Sequence, residues 1–398
     1  MAELKNTRIF SGLALFATVL LSSVHADQLE DAEKAELANQ EAFRSGFETI
    51  VDDLNYGSFR SFIGSIDQED IIDRIYGLRL IDQKIKKQFN ENLEYSYENL
   101  IKSGFAIPEE GLKAKLLGLE SRGDRGRAVV RFDYPDFDFS YHEYDLRLDG
   151  DRRVIIVDWT DFSDGKRFSD SIGRPLVMVA PSKPAMRKLL DYKNVTERDL
   201  FQFGELLKAA RDSNFGRYIE IMDGLSPQLQ RQRIVVESSV QVARQARKRR
   251  QMIAALQVMA EHFPEEPLYS LMLLDYYFPA RKYEQALQSL LRLSDRLGVE
   301  DAAMDARLSA AALVMEKPQD AAAYADSALG REPGLELAWW SALNARAALS
   351  DFAGSVEALQ RLEDDFGYKL SPETLGKNRS YAQLLDSSEY KRWRESLK

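Results

Sequence analysis

The amino-acid sequence predicts an α+β unit, helices followed by a curled antiparallel sheet, and behind it an all-α solenoid of helical repeats. Three observations carry that expectation. Helix-pair windows opening at Asp199, Arg233, Pro267, Ala302 and Glu336 recur at steps of 34, 34, 35 and 34 residues. From Leu112 the hydrophobic spacing changes from helical to alternating. Pro175, Pro181 and Pro184 punctuate the chain between the two regimes.

Length and composition bound the rest. At 398 residues two domains are expected, and 44% hydrophobic content is ample for packed cores. The formal charge is -10; Glu3, Lys5 and Arg8 give the first 26 residues +1, so the remainder carries -11. An acidic chain is a poor partner for nucleic acid or anionic lipid. Residues 1–26 read as a secretory signal: Lys5 and Arg8, a mainly apolar run from Ile9 to Leu21, then Val24-His25-Ala26. Cleavage would leave no membrane span and a periplasmic protein; retention of the run as an N-terminal membrane anchor is the alternative. There is no cysteine. That excludes disulfides and thiolate metal sites and suits a bacterial periplasm.

From 27 to 170 the helices come first. Ala42, Phe43, Phe47, Ile50, Val51 and Leu54 share one face of the first. Asp67 caps a second through Ile71, Ile72 and Ile75, with Glu69 and Asp70 at its positive end. A third, Leu78 to Leu100, turns Leu80, Ile81, Ile85, Phe89 and Leu93 inward. Strand signals follow, with turns at Arg122-Gly123-Asp124, Asp149-Gly150 and Asp164-Gly165. Val130, Phe132 and Tyr134 alternate with charged neighbours; beyond Pro135-Asp136, Phe137, Phe139 and Tyr141 resume on the other parity, which predicts a bulge or a fresh strand. Val154 to Trp159 is apolar on both faces, hence a central strand. Helices and then a meander ending in Ile156-Val157-Asp158-Trp159 resemble, over 30–165, the cone-shaped fold of nuclear transport factor 2-like and cystatin-like domains. That resemblance rests on element order and implies a sheet that encloses an apolar pocket. Residues 171–195 read as the linker.

Residues 196–370 carry the repeats. Met222, Leu256, Leu290, Ala325 and Leu359 stand at the twenty-fourth place of each window, and Leu225, Met259, Leu293, Ala328 and Leu362 three residues on. Each pair lies on one face of a second helix. The thirty-second place reads Gln230, Pro264, Gly298, Pro333 and Gly367, four of five helix breakers. Tyr283-x-x-Ala286-Leu287, Ala328-Leu329-x-x-Glu332-Pro333 and Trp339 resemble the tetratricopeptide (TPR) pattern over about 199–370. Leu274, Ser309 and Leu343 depart from it where the family has a small residue. The resemblance implies a curved array whose concave side is lined by first helices. Residues 371–398 read as capping helices, with Ser371-Pro372 starting one that carries Tyr381, Leu384 and Leu385, then Trp393 and Leu397.

Two sets of candidate site residues emerge. On the concave face, Leu271, Asp275, Trp340 and Asn344 form a partner-binding set, Trp340 as anchor and Asn344 as a group that fixes a partner's backbone; burial of Trp340 against the end cap competes. In the cone, Tyr134, Tyr141, His142, Asp158 and Trp159 form a pocket set. Asp158, Asp161 and Asp164 recur every third residue as cation ligands or an acid/base pair, against plain turn and capping roles. Only His142 and His262 follow the signal, too few for a multi-histidine metal site. Arg244, Arg247, Lys248, Arg249 and Arg250 read as a solvated turn. No catalytic residue, cofactor or metal is assigned. The expected function is a non-enzymatic exported adaptor or scaffold that binds a protein or peptide in the TPR-like groove, the cone adding homodimerisation or a second contact. The alternatives are a small-molecule-binding or catalytic cone on a repeat scaffold, and a self-associating envelope structural protein.

Overall fold

The computed structural model describes residues 33–77, 81–109, 111–179, 183–190 and 194–396. The expected signal at 1–26, Leu78 to Leu80 and Leu397 lie outside the described residues. Helix α1 (33–55) buries Phe43, Phe47, Ile50, Val51 and Leu54, the predicted stripe. After α2 (Arg60–Gly64), the Asp67 carboxylate accepts the Glu69 and Asp70 amides and starts α3 (Gln68–Ile75). Helix α4 (Gln83–Lys102) is capped by Asp82.

Five strands then form a single antiparallel meander in the order β1 (Lys113–Arg122), β2 (Arg125–Asp133), β3 (Phe139–Leu148), β4 (Val154–Asp161) and β5 (Lys166–Arg167). The parity change expected near Pro135 is a fresh strand. A 3-10 turn at Pro135–Phe137 ends β2, and Asp136 and Phe137 both take left-handed backbone, φ 61° and 62°. Strand β4 is not central: beyond it lie only the two-residue β5 and an isolated bridge between Ile66 and Ile156. Its unbroken apolar run has another cause, a bulge between Ile156 and Asp158 that shifts the register against β3.

Both faces of this sheet are covered. Ala128, Val130, Phe132, Tyr144, Leu146, Ile156 and Trp159 pack with Phe43, Phe47 and Phe62 of the helical layer. The opposite parity, Val129, Phe139 and Tyr141 with Phe162, packs on the repeats. The expected linker is helical, as α5 (Phe168–Val179) and α6 (Lys183–Leu189).

Five helix pairs follow: α7 (Glu197–Arg211) with α8 (Phe215–Gly224), then, past the one-turn α9 (Pro227–Gln230), α10 (Arg233–Gln245) with α11 (Arg249–His262), α12 (Ser270–Tyr277) with α13 (Tyr283–Leu297), α14 (Ala302–Val314) with α15 (Pro318–Arg331), and α16 (Glu336–Ala348) with α17 (Phe352–Asp364). Thr196 caps α7 in a reciprocal box with Asp199. Leu256, Met259, Leu290, Leu293, Ala325, Ala328, Leu359 and Leu362 are each 0% exposed. A feature absent from the sequence pattern joins all five pairs. The fifteenth place of every window, Ser213, Arg247, Arg281, Glu316 and Ser350, is left-handed, with φ of 52°, 53°, 56°, 59° and 58°. The next amide bonds five residues back in each case, at 2.8–3.0 Å, closing a Schellman turn without glycine. That recurrence includes the window from Asp199, so all five windows share one helix–turn–helix geometry.

The expected C-terminal cap is broken into α18 (Pro372–Leu375), a 3-10 turn at Arg379–Tyr381, α19 (Ala382–Asp386) and α20 (Ser388–Ser396). Leu375, Tyr381, Leu384, Tyr390 and Trp393 bury against Trp339, Leu343, Leu359 and Leu362.

Left-handed backbone costs a non-glycine residue about 1 kcal/mol and a β-branched one more. At the exposed Glu316, glycine is therefore expected to be neutral or stabilising and valine destabilising by more than about 1 kcal/mol. Urea midpoints of the three proteins check the order; a Val variant as stable as wild type would remove the left-handed turn from the account.

Candidate functional site

The sheet meets the repeats through charge as well as apolar packing. Arg131, 1% exposed in the middle of β2, donates to Asp301, to both oxygens of Asp133 at 2.7 and 3.0 Å, and to Glu332 at 3.1 and 3.2 Å. Burial opposes its charge, but the bonds from Asp133, Asp301 and Glu332 hold it firmly protonated. The Tyr141 hydroxyl donates to the other Asp301 oxygen at 2.7 Å. Burial and that carboxylate push the phenol well above its usual pKa, so it stays a donor. Asp301 is also the N-cap of α14. Two places earlier on the same face, Arg127 donates to Glu143 and to the Leu297 carbonyl at 2.8 Å, a cation at the negative end of α13. Arg296 closes on Glu143 from the repeat side. Two glycines mark where backbones touch. A Cβ on Gly118, at the β1 bulge, would stand 2.6 Å from Val299, and one on Gly165 would stand 2.7 Å from the Leu268 carbonyl.

This junction changes the predicted partner face. Leu271 is half-buried in the cluster that Phe139, Tyr141 and Phe162 share with α13 and α14, so the chain's own sheet covers it. Asp275 stays exposed, with Arg244, Asp138, Arg249 and Arg307 as its electrostatic neighbours. Trp340 packs edge-on against Tyr368 at 5.1 Å and donates to Glu336 at 3.3 Å. Asn344 accepts the Tyr381 hydroxyl, so it fixes this chain's own cap and not a partner's backbone. The four residues do not form one open groove.

The cone set divides as well, because it spans both faces of the sheet. Tyr141 and Asp158 face one way; His142 and Trp159 face the other. Asp158 accepts from the Trp159 and Ser169 amides, Ser169 Oγ and Arg167, capping the start of α5. It does not pair with His142. The imidazole lies between Tyr144, 3.0 Å from Nδ1, and Asp161, 3.6 Å from Nε2. Burial pushes the Asp161 carboxyl up, but His142 and the Ser163 bonds hold it below the ordinary range. Phe105 and Phe132 cover the histidine ring, while Trp159 stacks on Phe168 at 4.0 Å. Tyr141, His142, Asp158 and Trp159 are at most 1% exposed, and none of them lines the larger clefts among the described residues. The interior reads as packed core.

Tyr134 alone of that set lines an open space. A cleft of about 590 Å³ lies where the β2–β3 turn faces the last two helix pairs, a volume in the usual range for binding sites. Tyr134, Phe137, Phe139, Phe366 and Tyr368 supply aromatic walls, and Asp133, Asp136, Asp138, Glu332 and Glu336 supply acids against Lys113. Arg307 reaches across from α14 to the Phe137 carbonyl at 2.8 Å and lies over the Phe139 ring at 5.2 Å. Sequence reasoning missed this site because its walls come from segments some 200 residues apart; the aromatic run through Phe139 was the available signal.

No family model matches the chain, and no curated protein matches it. Among solved structures, a MamA mutant is similar at 11% identity and a TM-score of 0.30, covering 42% of this chain and 97% of that one. MamA MSR-1 pairs at 13% identity and 0.30, covering 43% and 97%. A further MamA structure pairs at 15% and 0.29, covering 44% and 99%. Scores this low carry no argument, so function is argued from the chain's own geometry.

Removing Arg131 strands a buried carboxylate. Arg131→Met is expected to cost about 3–5 kcal/mol, and adding Asp301→Asn to recover part of it. Chemical denaturation of the two singles and the double measures this; strictly additive losses would refute the pairing. A second test uses Asp164, whose carboxyl burial and the nearby Asp161 push up to about 7. An acid raised in the folded state is protonated there while the unfolded chain is already ionised, so its contribution to stability falls as pH rises from about 4 to 7. Asp164→Asn should therefore gain melting temperature relative to wild type between pH 5 and pH 8. An unchanged difference at the two pH values would count against it.

Proposed function

We propose that this chain is a non-enzymatic adaptor, exported to the periplasm by a cleaved signal, that holds a protein or peptide partner in the cleft between the β2–β3 turn and the last helix pairs. One observation carries the reading. The sheet occupies the first-helix side of the central units through Arg131, Tyr141 and Asp301, so the open aromatic surface is displaced to the end of the array. Repeat arrays bind extended partners on such surfaces. The buried state of His142 and Asp158 supports a structural cone over a catalytic one. Phe137, 39% exposed at the cleft, is the side chain to test.

A photo-crosslinking amino acid at position 137 in cells that export the chain should trap a defined second protein. The same probe at Phe201, exposed on α7 and outside the cleft, should not. The adduct should vanish when Tyr368→Ala is added. Adducts at both positions, or one that survives Tyr368→Ala, would overturn the assignment.

A further inference from the structure

The reading above leaves the chemistry of the partner open, and this step rests on it. We propose that the cleft takes an extended, proline-containing polypeptide segment that carries lysine or arginine. The first argument is the walls. Tyr134, Phe139, Phe366 and Tyr368, with the exposed Phe137, line the cleft. Aromatic-lined troughs suit polyproline II segments, which arrive already extended and lose little entropy on docking.

The second argument is charge. Of the five lining acids, Asp133 and Glu332 are neutralised by Arg131 and Lys115. Asp138, 74% exposed, pairs with Arg307 at 3.5 Å, and Asp136 is exposed with no ion-pair partner among the described residues. Glu336 is set in place by aromatic donors, Trp340 Nε1 at 3.3 Å and the Tyr368 hydroxyl, whose pKa that bond raises. A carboxylate fixed by neutral donors keeps its full charge for an incoming cation. Lys113 is the one lining base. An acidic or nucleic-acid occupant would meet repulsion from this set.

Strand addition is hindered where β1 borders the cleft. The neighbouring edge of β1 is already capped at Ala114, whose amide and carbonyl both bond the Asn55 side chain, at 2.6 and 2.8 Å. Side-chain recognition in the cleft is then the favoured mode for an extended segment.

The test is fluorescence anisotropy of the purified chain with three labelled peptides: four repeats of Pro-Pro-Lys, of Pro-Pro-Glu, and of Gly-Gly-Lys. The first is expected to bind roughly tenfold more tightly than either of the others. Asp136→Asn with Glu336→Gln should weaken it by a similar factor at nearly unchanged melting temperature, since both substitutions are isosteric and Asn tolerates the left-handed backbone at 136. Equal binding of the two lysine peptides would reduce the site to charge alone and overturn the proposal, as would no binding or indifference to the double substitution. The crosslink at position 137 is read separately. An adduct formed with a partner that has no such segment would sink this inference and leave the adaptor reading standing.

Discussion

The Arg131 guanidinium has no route to water, so its charge must be met inside the protein. Moving such an ion out of water costs several kcal/mol, which only well-placed partners offset. Here three carboxylates from three places do so: Asp133 from its own strand, Asp301 from the α13–α14 turn and Glu332 from the end of α15. Asp301 also caps α14 and receives the Tyr141 hydroxyl. The contact therefore joins sheet register, helix initiation and the relative position of sheet and repeats in one constraint. Asp133 and Glu332 line the cleft as well, so the width of that cleft is set by the same bond network that holds the layers together.

Much of the architecture was legible because it is periodic. Four of the five second-helix pairs that the 34-residue step picks out are fully buried, while Met222 is half-buried and Leu225 lies past the end of α8; the stripe on α1 and the Asp67 cap stand where side-chain spacing put them. What the pattern could not reveal was what buries each face. Arg127, Arg131 and Asp133 alternate with Val130 and Phe132, and an alternating strand ordinarily has a wet side. In this chain the polar side of β2 is an internal interface, distinguishable from a solvated one only by residues distant in sequence. Gly118, a glycine inside a strand, was the local trace of that contact.

The candidate residues failed for the same reason. Trp340 and Asn344 sit at places where repeat arrays commonly meet partners, yet the end cap reaches back to both through Tyr368 and Tyr381. His142 and Asp158 are adjacent in composition but opposite in parity once the β4 bulge is included. A one-residue shift reverses every facing side chain, and the unbroken apolar run of β4 hid that shift. The non-glycine left-handed turns were equally silent, since Ser213, Arg281 and Glu316 resemble any solvated loop residue.

The β2–β3 turn is where strain and exposure coincide. Two consecutive non-glycine residues in left-handed backbone cost of order 1–3 kcal/mol each, and an Asn-Gly hairpin could join the same strands without that penalty. The turn is instead closed by the Tyr134 amide on the Asp138 carbonyl at 2.8 Å and held from α14 by Arg307 on the Phe137 carbonyl. The first bond lies within the turn and the second crosses the sheet–repeat junction, so the docked repeats help to hold the strained backbone. Its effect is to present Phe137 and Asp136 together at the cleft, an apolar ring beside a carboxylate with no ion-pair partner among the described residues. A turn whose sole task was connection would need neither the strain nor the anchor from a neighbouring layer.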